Sequence, residues 1–218
     1  MSAPGRDLRV VSWNVRSLRD DPRGVALALL HLQPDLVCVQ EAPRLLLWQL
    51  SRGRLARRAG LRPLTRDRAC GNLLLAGRRV RTLGAGVVRL PRRPGLHRRA
   101  AAWARVEVAG RPLVLAGTHL DLDAQARLDS ARRVRAGLPD GALVLGADVN
   151  DDPGTAAWVA LAEGLADAGS GPTFPAAAPV RRLDALLVDP ALAVDQHEVV
   201  PTRLVSDHLA LRADLRWR

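Results

Sequence analysis

Acidic, amide and histidine side chains stand where apolar stretches of this sequence end. The run Ala-Leu-Val-Leu-Gly at residues 142–146 is followed by Asp148 and Asn150, which would share one face of an extended strand. A turn explains residues 151–154, Asp-Asp-Pro-Gly, well, but it explains Asp148 poorly, because Asp148 precedes the turn. The spacing favours a carboxylate and a carboxamide that act together at a strand end.

The same pattern recurs elsewhere in the chain. Polar residues at or near other predicted strand ends are Asn14, Glu41, His119, Asp184, Asp207 and His208. Singly, most of them could be turn residues, charges at a helix start or buried structural histidines. Asp184 is harder to explain in this way, because a carboxylate in an apolar strand is costly unless it is paired. If the strand ends converge, the set offers hard oxygen ligands that suit Mg²⁺ or Mn²⁺.

Several other site classes are absent from the sequence. It has no His/Cys cluster for zinc, no phosphate-binding loop and no Gly-x-Ser-x-Gly motif. Two cysteines are too few for a disulfide framework, and no apolar run is long enough for a membrane span. The first residues lack the apolar run of a signal peptide, so the expected location is cytoplasmic.

The charge of the chain is strongly positive. The net charge is +11, and all 33 basic side chains are arginines, whose planar forks suit phosphate recognition. A composition rich in Ala, Gly, Pro and Arg is also typical of high-GC coding, which accounts for part of the excess. The arginine pairs at 57–58, 92–93, 98–99 and 181–182 are candidate phosphate contacts, with solvated surface pairs as the alternative. The charge still favours a polyanionic partner over a cationic one.

The elements that would position these residues follow from periodicity and turn signals. Strands are predicted at residues 8–13, 35–40, 72–76, 80–90, 99–108, 112–118, 142–149, 182–188, 193–199 and 209–217. Helices are predicted from Pro22 to Leu32, over 43–58 with Leu46, Leu47 and Leu50 on one face, over 124–136 with an Asp123 cap, and over 155–163.

Hairpins and interspersed helices predict an α/β fold. It consists of two mostly antiparallel β-sheets packed face to face, with helices on the outside, which is a four-layer α/β sandwich. A doubly wound parallel sheet is the alternative, and it fits less well because the hairpin near Arg111 and the closing strands lack intervening helices. No linker divides the chain, so we expect one domain over residues 1–218, with its core at about 8–217.

Six short motifs occur in an order that resembles a known family. They are VSWNVRSL, PDLVCVQEA, GTHLDLD, LGADVN, RLDALLV and VSDHLAL, and the likeness extends from Leu8 to Leu215. The order resembles that of the endonuclease/exonuclease/phosphatase superfamily, which has the deoxyribonuclease-I-like fold.

The resemblance implies a role for each matching residue. Asn14, Glu41 and Asp207 would belong to the metal site, with Glu41 as the direct Mg²⁺ ligand. Asp148 would activate the attacking water, and Asn150 would help to position water or phosphate. His208 would contact the scissile phosphate and stay protonated beside Asp184, and His119 would be a second phosphate-binding histidine. Asn72 resembles the residue that opens a strand beside the cleft.

The expected function is Mg²⁺-dependent phosphoester hydrolysis, with a nuclease-like phosphodiesterase acting on DNA or RNA as the leading form. A phosphatase or phosphodiesterase for a small-molecule or lipid phosphoester is an alternative, because one core supports many substrates. A non-catalytic, basic nucleic-acid-binding domain is a second alternative. We expect a monomer.

Two departures from the family pattern concern the cleft. The chain has no Tyr, whereas many nucleases of the family place one there. His119 lacks an obvious acidic partner, and the sequence offers Asp67, Asp121 and Asp123 as candidates.

Overall fold

The computed structural model describes residues 6–202 and 204–218. Within them the chain forms twelve strands and four α-helices. The strands are β1 Leu8–Asn14, β2 Leu36–Gln40, β3 Arg62–Pro63, β4 Leu73–Ala76, β5 Arg81–Arg89, β6 Ala100–Val108, β7 Arg111–His119, β8 Leu143–Asp148, β9 Ala166–Asp167, β10 Asp184–Val188, β11 Leu192–Val200 and β12 Ala210–Trp217. The helices are α1 Pro22–Leu32, α2 Trp48–Arg58, α3 Ala124–Gly137 and α4 Ala156–Ala162.

The strands form two six-stranded sheets. The first has the order β11-β12-β1-β2-β4-β3, and the second has the order β5-β6-β7-β8-β10-β9. Each sheet has one parallel pair, β1 with β2 and β7 with β8, and its other neighbours are antiparallel. The predicted pair of mostly antiparallel sheets is therefore confirmed.

Three apolar layers hold the sandwich together. The layer between the sheets includes Val10 and Leu36 from the first sheet and Leu115 and Val144 from the second. A second cluster packs the outer face of the first sheet against α1 and α2. A third cluster packs the outer face of the second sheet against α3 and α4. The predicted four-layer α/β sandwich is confirmed.

Side-chain caps set the starts of two helices, and the cap at Asp123 was predicted. The Asp21 carboxylate accepts a hydrogen bond from the Arg23 amide, and Pro22 occupies the first turn of α1. Asp123 accepts one from the Ala126 amide at the start of α3. These bonds satisfy amide groups that have no partner within the helix.

The second helix was predicted with the wrong start and the wrong buried face. It begins at Trp48, not at residue 43, because the preceding turn contains Leu47 in a left-handed conformation with φ of 59°. Leu46 and Leu47 are exposed, at 91% and 62%, and Leu50 is also exposed. The helix buries Leu55 instead, so its apolar contact with the sheet lies one turn further on.

Other boundaries differ by a few residues. The strand predicted from 182 begins at Asp184, so this carboxylate opens the strand and does not interrupt it. The two-residue strands β3 and β9 were not predicted. The predicted domain includes residues 1–5 and 203, which lie outside the described residues, and the single-domain assignment stays a prediction. No helix in the described ranges is long and apolar enough to cross a membrane.

Candidate active site

The sheet register brings the polar strand ends together. Asn14 lies opposite Gln40 at the ends of the parallel strands β1 and β2, so Glu41 follows directly. His119 lies opposite Asp148 at the ends of the parallel strands β7 and β8. Parallel strands end at the same edge, and the two edges face each other across the sandwich. Residues predicted from separate motifs therefore meet at one rim.

Asp148 is at the centre of the cluster and is fully buried. Its Oδ2 accepts a hydrogen bond from Asn14 Nδ2 at 2.7 Å, and its Oδ1 accepts one from the Asn150 amide at 3.0 Å. The same Oδ2 lies 3.5 Å from His119 Nε2 and 3.9 Å from His208 Nε2. Burial raises the pKa of Asp148, but the positive charge of His208 and these hydrogen bonds oppose burial and hold its pKa below the usual value. Asp148 is thus a buried but ionised carboxylate.

Asp184 and His208 form a second, tightly paired unit. His208 Nδ1 lies 2.8 Å from Asp184 Oδ2, and both side chains are buried. Burial lowers the pKa of His208, but the charge and hydrogen bond of Asp184, helped by Asp148 and Asp207, raise it to about 9. The imidazolium form is therefore the stable one at neutral pH. Phe174 packs on the ring at a centroid distance of 4.9 Å and helps to fix its orientation.

His119 has the opposite electrostatic character. Burial lowers its pKa, Asp148 opposes this shift, and the Arg99 guanidinium adds to it. Asn150 Nδ2 donates to the Leu120 carbonyl at 2.9 Å and lies 2.8 Å from His119 Nε2. Because the amide nitrogen of Asn150 carries two hydrogens, it can donate to the Leu120 carbonyl and to His119 Nε2. His119 Nε2 then acts as an acceptor, and the ring is neutral. The site thus holds one neutral and one cationic histidine.

The acidic groups nearest to His119 are not those expected from the sequence. Asp148 and Glu41 approach its ring at 3.5 and 3.9 Å. The three sequence candidates have other partners: Asp67 pairs with Arg89, Asp121 faces Arg99, and Asp123 caps α3. The candidates were wrong because strand order, not sequence proximity, places Glu41 beside β7.

Glu41 offers the most accessible carboxylate of the cluster. Its side chain is 37% exposed, and its Oε1 accepts one long hydrogen bond, from Asn14 Nδ2 at 3.3 Å. Asn14 donates through Nδ2 and accepts from the Arg16 amide through Oδ1. A lightly bonded carboxylate beside the buried Asp148 fits a hard divalent cation. Asn14, as it is oriented here, positions the two carboxylates with its amide nitrogen.

A second group of side chains could also bind a metal. Ligand atoms of Asp148, Asp184 and His208 lie within 4.8 Å of one another. Asp184 and His208 are already hydrogen-bonded, and the raised pKa of His208 keeps a proton on its ring. Since a metal-binding imidazole must be neutral, the donor chemistry favours Glu41 over this group.

Asp207 and Arg16 form an ion pair at the rim. Arg16 Nε lies 3.3 Å from Asp207 Oδ2, and Ser206 Oγ lies 3.4 Å from Asp207 Oδ1. Asp207 is 31% exposed, and its predicted place in the metal site stays a prediction. Arg16 was not predicted at the site, because nothing in its neighbourhood along the chain indicates a partner so far away.

A cavity of about 330 Å³ opens onto this cluster. Its wall includes Glu41, His119 and Asn150, together with Arg44 and Arg99. Asn72 lies behind the wall, where its Nδ2 donates to the carbonyls of Ala69 and Ala100. Arg99 appeared in the sequence only within an arginine pair, and its position in the wall depends on the fold.

Comparison with known proteins places the chain in a family. The model of the endonuclease/exonuclease/phosphatase family matches residues 11–208. The chain belongs to this family. Members of the endonuclease/exonuclease/phosphatase family hydrolyse phosphoester bonds, so the chain is a phosphoester hydrolase of that family. No curated protein matches the sequence.

Solved structures of endonuclease/exonuclease/phosphatase proteins share the whole fold. A mannosyl-6-phosphatase from Bacteroides thetaiotaomicron has a TM-score of 0.82 at 17% identity and covers 96% of this chain and 100% of its own. A family member from Beutenbergia cavernae has a TM-score of 0.77 at 25% identity, covering 98% and 72%. TDP2 from D. rerio, complexed with a single-strand DNA product, has a TM-score of 0.73 at 20% identity, covering 96% and 98%.

Proposed function

We propose that this protein is a Mg²⁺-dependent phosphodiesterase with nuclease-like activity on DNA or RNA. The observation that carries the proposal is the environment of Asp148, an ionised carboxylate between one neutral and one cationic histidine. A phosphodiester anion repels hydroxide, so its hydrolysis needs a base for water and positive charge for the phosphoryl oxygens. The cluster offers both functions within a few ångströms.

In the proposed mechanism, Asp148 is the general base. The hydrogen bonds from Asn14 and the Asn150 amide hold its two oxygens in place, so the carboxylate can orient a water molecule and accept its proton. Its lowered pKa keeps it ready as a base at neutral pH.

His208 stabilises the phosphoryl group in this mechanism. Its Nδ1 hydrogen is used by Asp184, which leaves the Nε2 hydrogen for a phosphoryl oxygen. Asp184 is a positioning residue, since it acts through the charge and the orientation of the imidazolium. The neutral His119 would contact the phosphate through its Nδ1 hydrogen, and Asn150 would position the His119 ring through Nε2.

Glu41 would hold the metal ion, with Asn14 and Asp207 completing the site as the sequence predicts. When bound, Mg²⁺ would neutralise charge that develops on the phosphoryl oxygens, and Mn²⁺ could replace it.

The arginine content supports a nucleic-acid substrate, because guanidinium groups can contact phosphates along a strand. The cytoplasmic location and the monomeric state stay predictions. The test below also distinguishes a nuclease from an enzyme that acts on a soluble or lipid phosphoester, and from a protein that only binds nucleic acid.

The test compares hydrolysis of DNA, RNA, an inositol phosphate and a phospholipid side by side with Mg²⁺. We expect turnover of at least one nucleic acid, and we expect none from Asp148→Asn, the matched variant without a base. Turnover confined to the inositol phosphate or the phospholipid would reject the nuclease assignment. DNA binding without turnover of any substrate, including a chromogenic phosphodiester, would favour the non-catalytic alternative.

A further inference from the structure

A second cavity adjoins the candidate active site. Its volume is about 490 Å³, and we call it the arginine pocket because six arginines line it. They are Arg44, Arg68, Arg89, Arg92, Arg98 and Arg99. Asp67 is the one acidic residue in its described wall. The wall also has apolar surface, from Leu45, Val87 and Leu90.

The arginine pocket and the catalytic cavity share a wall. Arg44, Cys70 and Arg99 line both. The catalytic cavity also contains Glu41 and His119, so a single extended ligand that reaches the reacting phosphate passes the same guanidinium groups. The two cavities are therefore neighbouring parts of one surface.

Most of the positive charge in the arginine pocket is uncompensated. Within residues 6–202 and 204–218, no carboxylate forms an ion pair with Arg44, Arg92 or Arg98. Arg99 is only 11% exposed, and its closest carboxylate, on Asp121, is 3.8 Å away. Its Nε is buried and has no hydrogen-bond acceptor in the described structure. Arg99 lines both cavities, so its guanidinium is placed to meet an anion that enters either of them.

A buried arginine behind the wall fixes the backbone of the arginine pocket. Arg52 is 3% exposed and donates hydrogen bonds to the carbonyls of Pro43, Asp67 and Arg68, at 2.8, 3.2 and 2.9 Å. Its guanidinium also stacks on Trp48 at 4.7 Å. These contacts join two segments of the wall that are far apart in sequence. A preformed site loses less free energy on ligand binding than a flexible one.

We propose that the arginine pocket binds a second phosphate group of the substrate while the first occupies the catalytic cavity. The proposal rests on the proposed function and narrows it to phosphoesters that carry at least one phosphate beyond the scissile one. Guanidinium forks give the planar, two-point contacts that phosphate accepts. The apolar wall suits the organic part that links the two groups. The second phosphate could belong to a nucleic-acid strand or to a small polyphosphorylated molecule.

The experiment measures how much a second phosphate improves recognition. The substrates are a p-nitrophenyl ester of thymidine 5′-phosphate and the same ester with an added 3′-phosphate. The variant is Arg92→Gln with Arg98→Gln, since both residues line the arginine pocket and neither lines the catalytic cavity. The matched control is Arg57→Gln with Arg58→Gln, an exposed pair that lines neither cavity and removes the same charge.

We expect the added phosphate to lower the KM of the wild-type enzyme by about tenfold or more, the usual effect of a charge-assisted contact. The double pocket variant should lose this gain and keep kcat and KM for the ester without the added phosphate. The control variant should behave like the wild type. Equal KM values for the two esters, or equal losses in both variants, would overturn the proposal.

A binding measurement separates this proposal from the proposed function. Calorimetry with the Asp148→Asn variant compares thymidine 5′-phosphate with thymidine 3′,5′-bisphosphate, and inositol monophosphate with inositol bisphosphate. A gain for the nucleotide pair alone identifies a strand-like ligand, and a gain for the inositol pair alone identifies a small polyphosphate. Absence of a gain in either pair overturns the pocket assignment, even if the wild type hydrolyses phosphodiesters. If the wild type hydrolyses neither ester, a gain in binding still supports the pocket, and only the proposed function fails.

Discussion

The pairing of Asp184 with His208 allows a quantitative prediction. Replacing Asp184 by Asn keeps a hydrogen-bond acceptor for His208 Nδ1 but removes the negative charge 2.8 Å away. In the intact protein the pKa of His208 rises from an ordinary 6.5 to about 9. This rise corresponds to about 3 kcal/mol in favour of the imidazolium. Without the charge of Asp184, burial acts with less opposition, so the pKa of His208 should fall back towards 6.5.

The consequence depends on pH. At pH 8 a group with a pKa of about 9 is roughly 90% protonated, whereas one with a pKa of 6.5 is roughly 3% protonated. If the imidazolium is the active form, Asp184→Asn should reduce turnover about 30-fold at pH 8. The deficit should nearly disappear at pH 6, because both forms are then mostly protonated. The raised pKa of His208 also contributes to the stability of the fold: this contribution is complete below pH 6.5 and is lost as pH rises through about 9.

The assay follows hydrolysis of a chromogenic phosphodiester between pH 6 and pH 8.5, with aliquots quenched in alkali before reading. Nuclear magnetic resonance of labelled histidine, assigned with a His208→Gln variant, gives the pKa directly. Thermal melts at each pH ensure that both proteins stay folded. A deficit that is the same at pH 6 and pH 8, or a His208 pKa unchanged by Asp184→Asn, would refute the reasoning.

Three further predictions concern the metal, the thiols and the packing of the sheets. Mg²⁺ should add about 2.7 kcal/mol to the free energy of unfolding of the wild type at a hundred times Kd, and so raise its melting temperature. Glu41→Gln should abolish this rise, because a neutral amide is a poor ligand. An equal rise in both proteins would place the ion elsewhere. Burial raises the pKa of the Cys38 thiol to about 12. Mass spectrometry should therefore show that iodoacetamide at pH 8 labels Cys70 in the native protein and labels both thiols only after unfolding. Labelling of Cys38 first would contradict its burial. A Cβ on Gly146 would lie 2.6 Å from Cys38 Cβ, so Gly146→Ala should lower the free energy of unfolding in denaturant by about 1–3 kcal/mol. Gly84→Ala, whose Cβ would have no atom within 4 Å, should lower it much less. Equal losses would mean that the sheets are not closely packed at Gly146.

Local sequence signals predicted most of the elements correctly. Caps such as Asp123, breaks in apolar runs and turn residues are all short-range patterns, and each arises from backbone hydrogen bonding or burial of one face. The same reasoning failed for α2, where a run of leucines looks like a buried helix face. Leu46 and Leu47 are exposed because the chain turns before Trp48, with Leu47 in a left-handed conformation that a run of leucines does not signal.

The sequence alone also identified which side chains could do chemistry. Asp148 ends an apolar strand as predicted, and Asp184 is a carboxylate that such a strand would not hold without a partner. Asn150 was predicted on the same strand face as Asp148, but it lies beyond the end of β8 with a φ of 58°, so the period of a strand does not set its position. The choice of Asp148 and Asp184 needs only the end of an apolar run and the cost of burying charge, and it holds whatever the order of the strands.

Only the tertiary structure decided which of these groups touch and how they are charged. The hydrogen bond from Asn14 to Asp148 spans 134 positions, and it forms because two parallel strand pairs end at facing edges. The neutral state of His119 and the cationic state of His208 depend on burial and on neighbours from other strands. Pairing and pKa depend on distance in space, and sheet order sets that distance across segments with no local signal for one another.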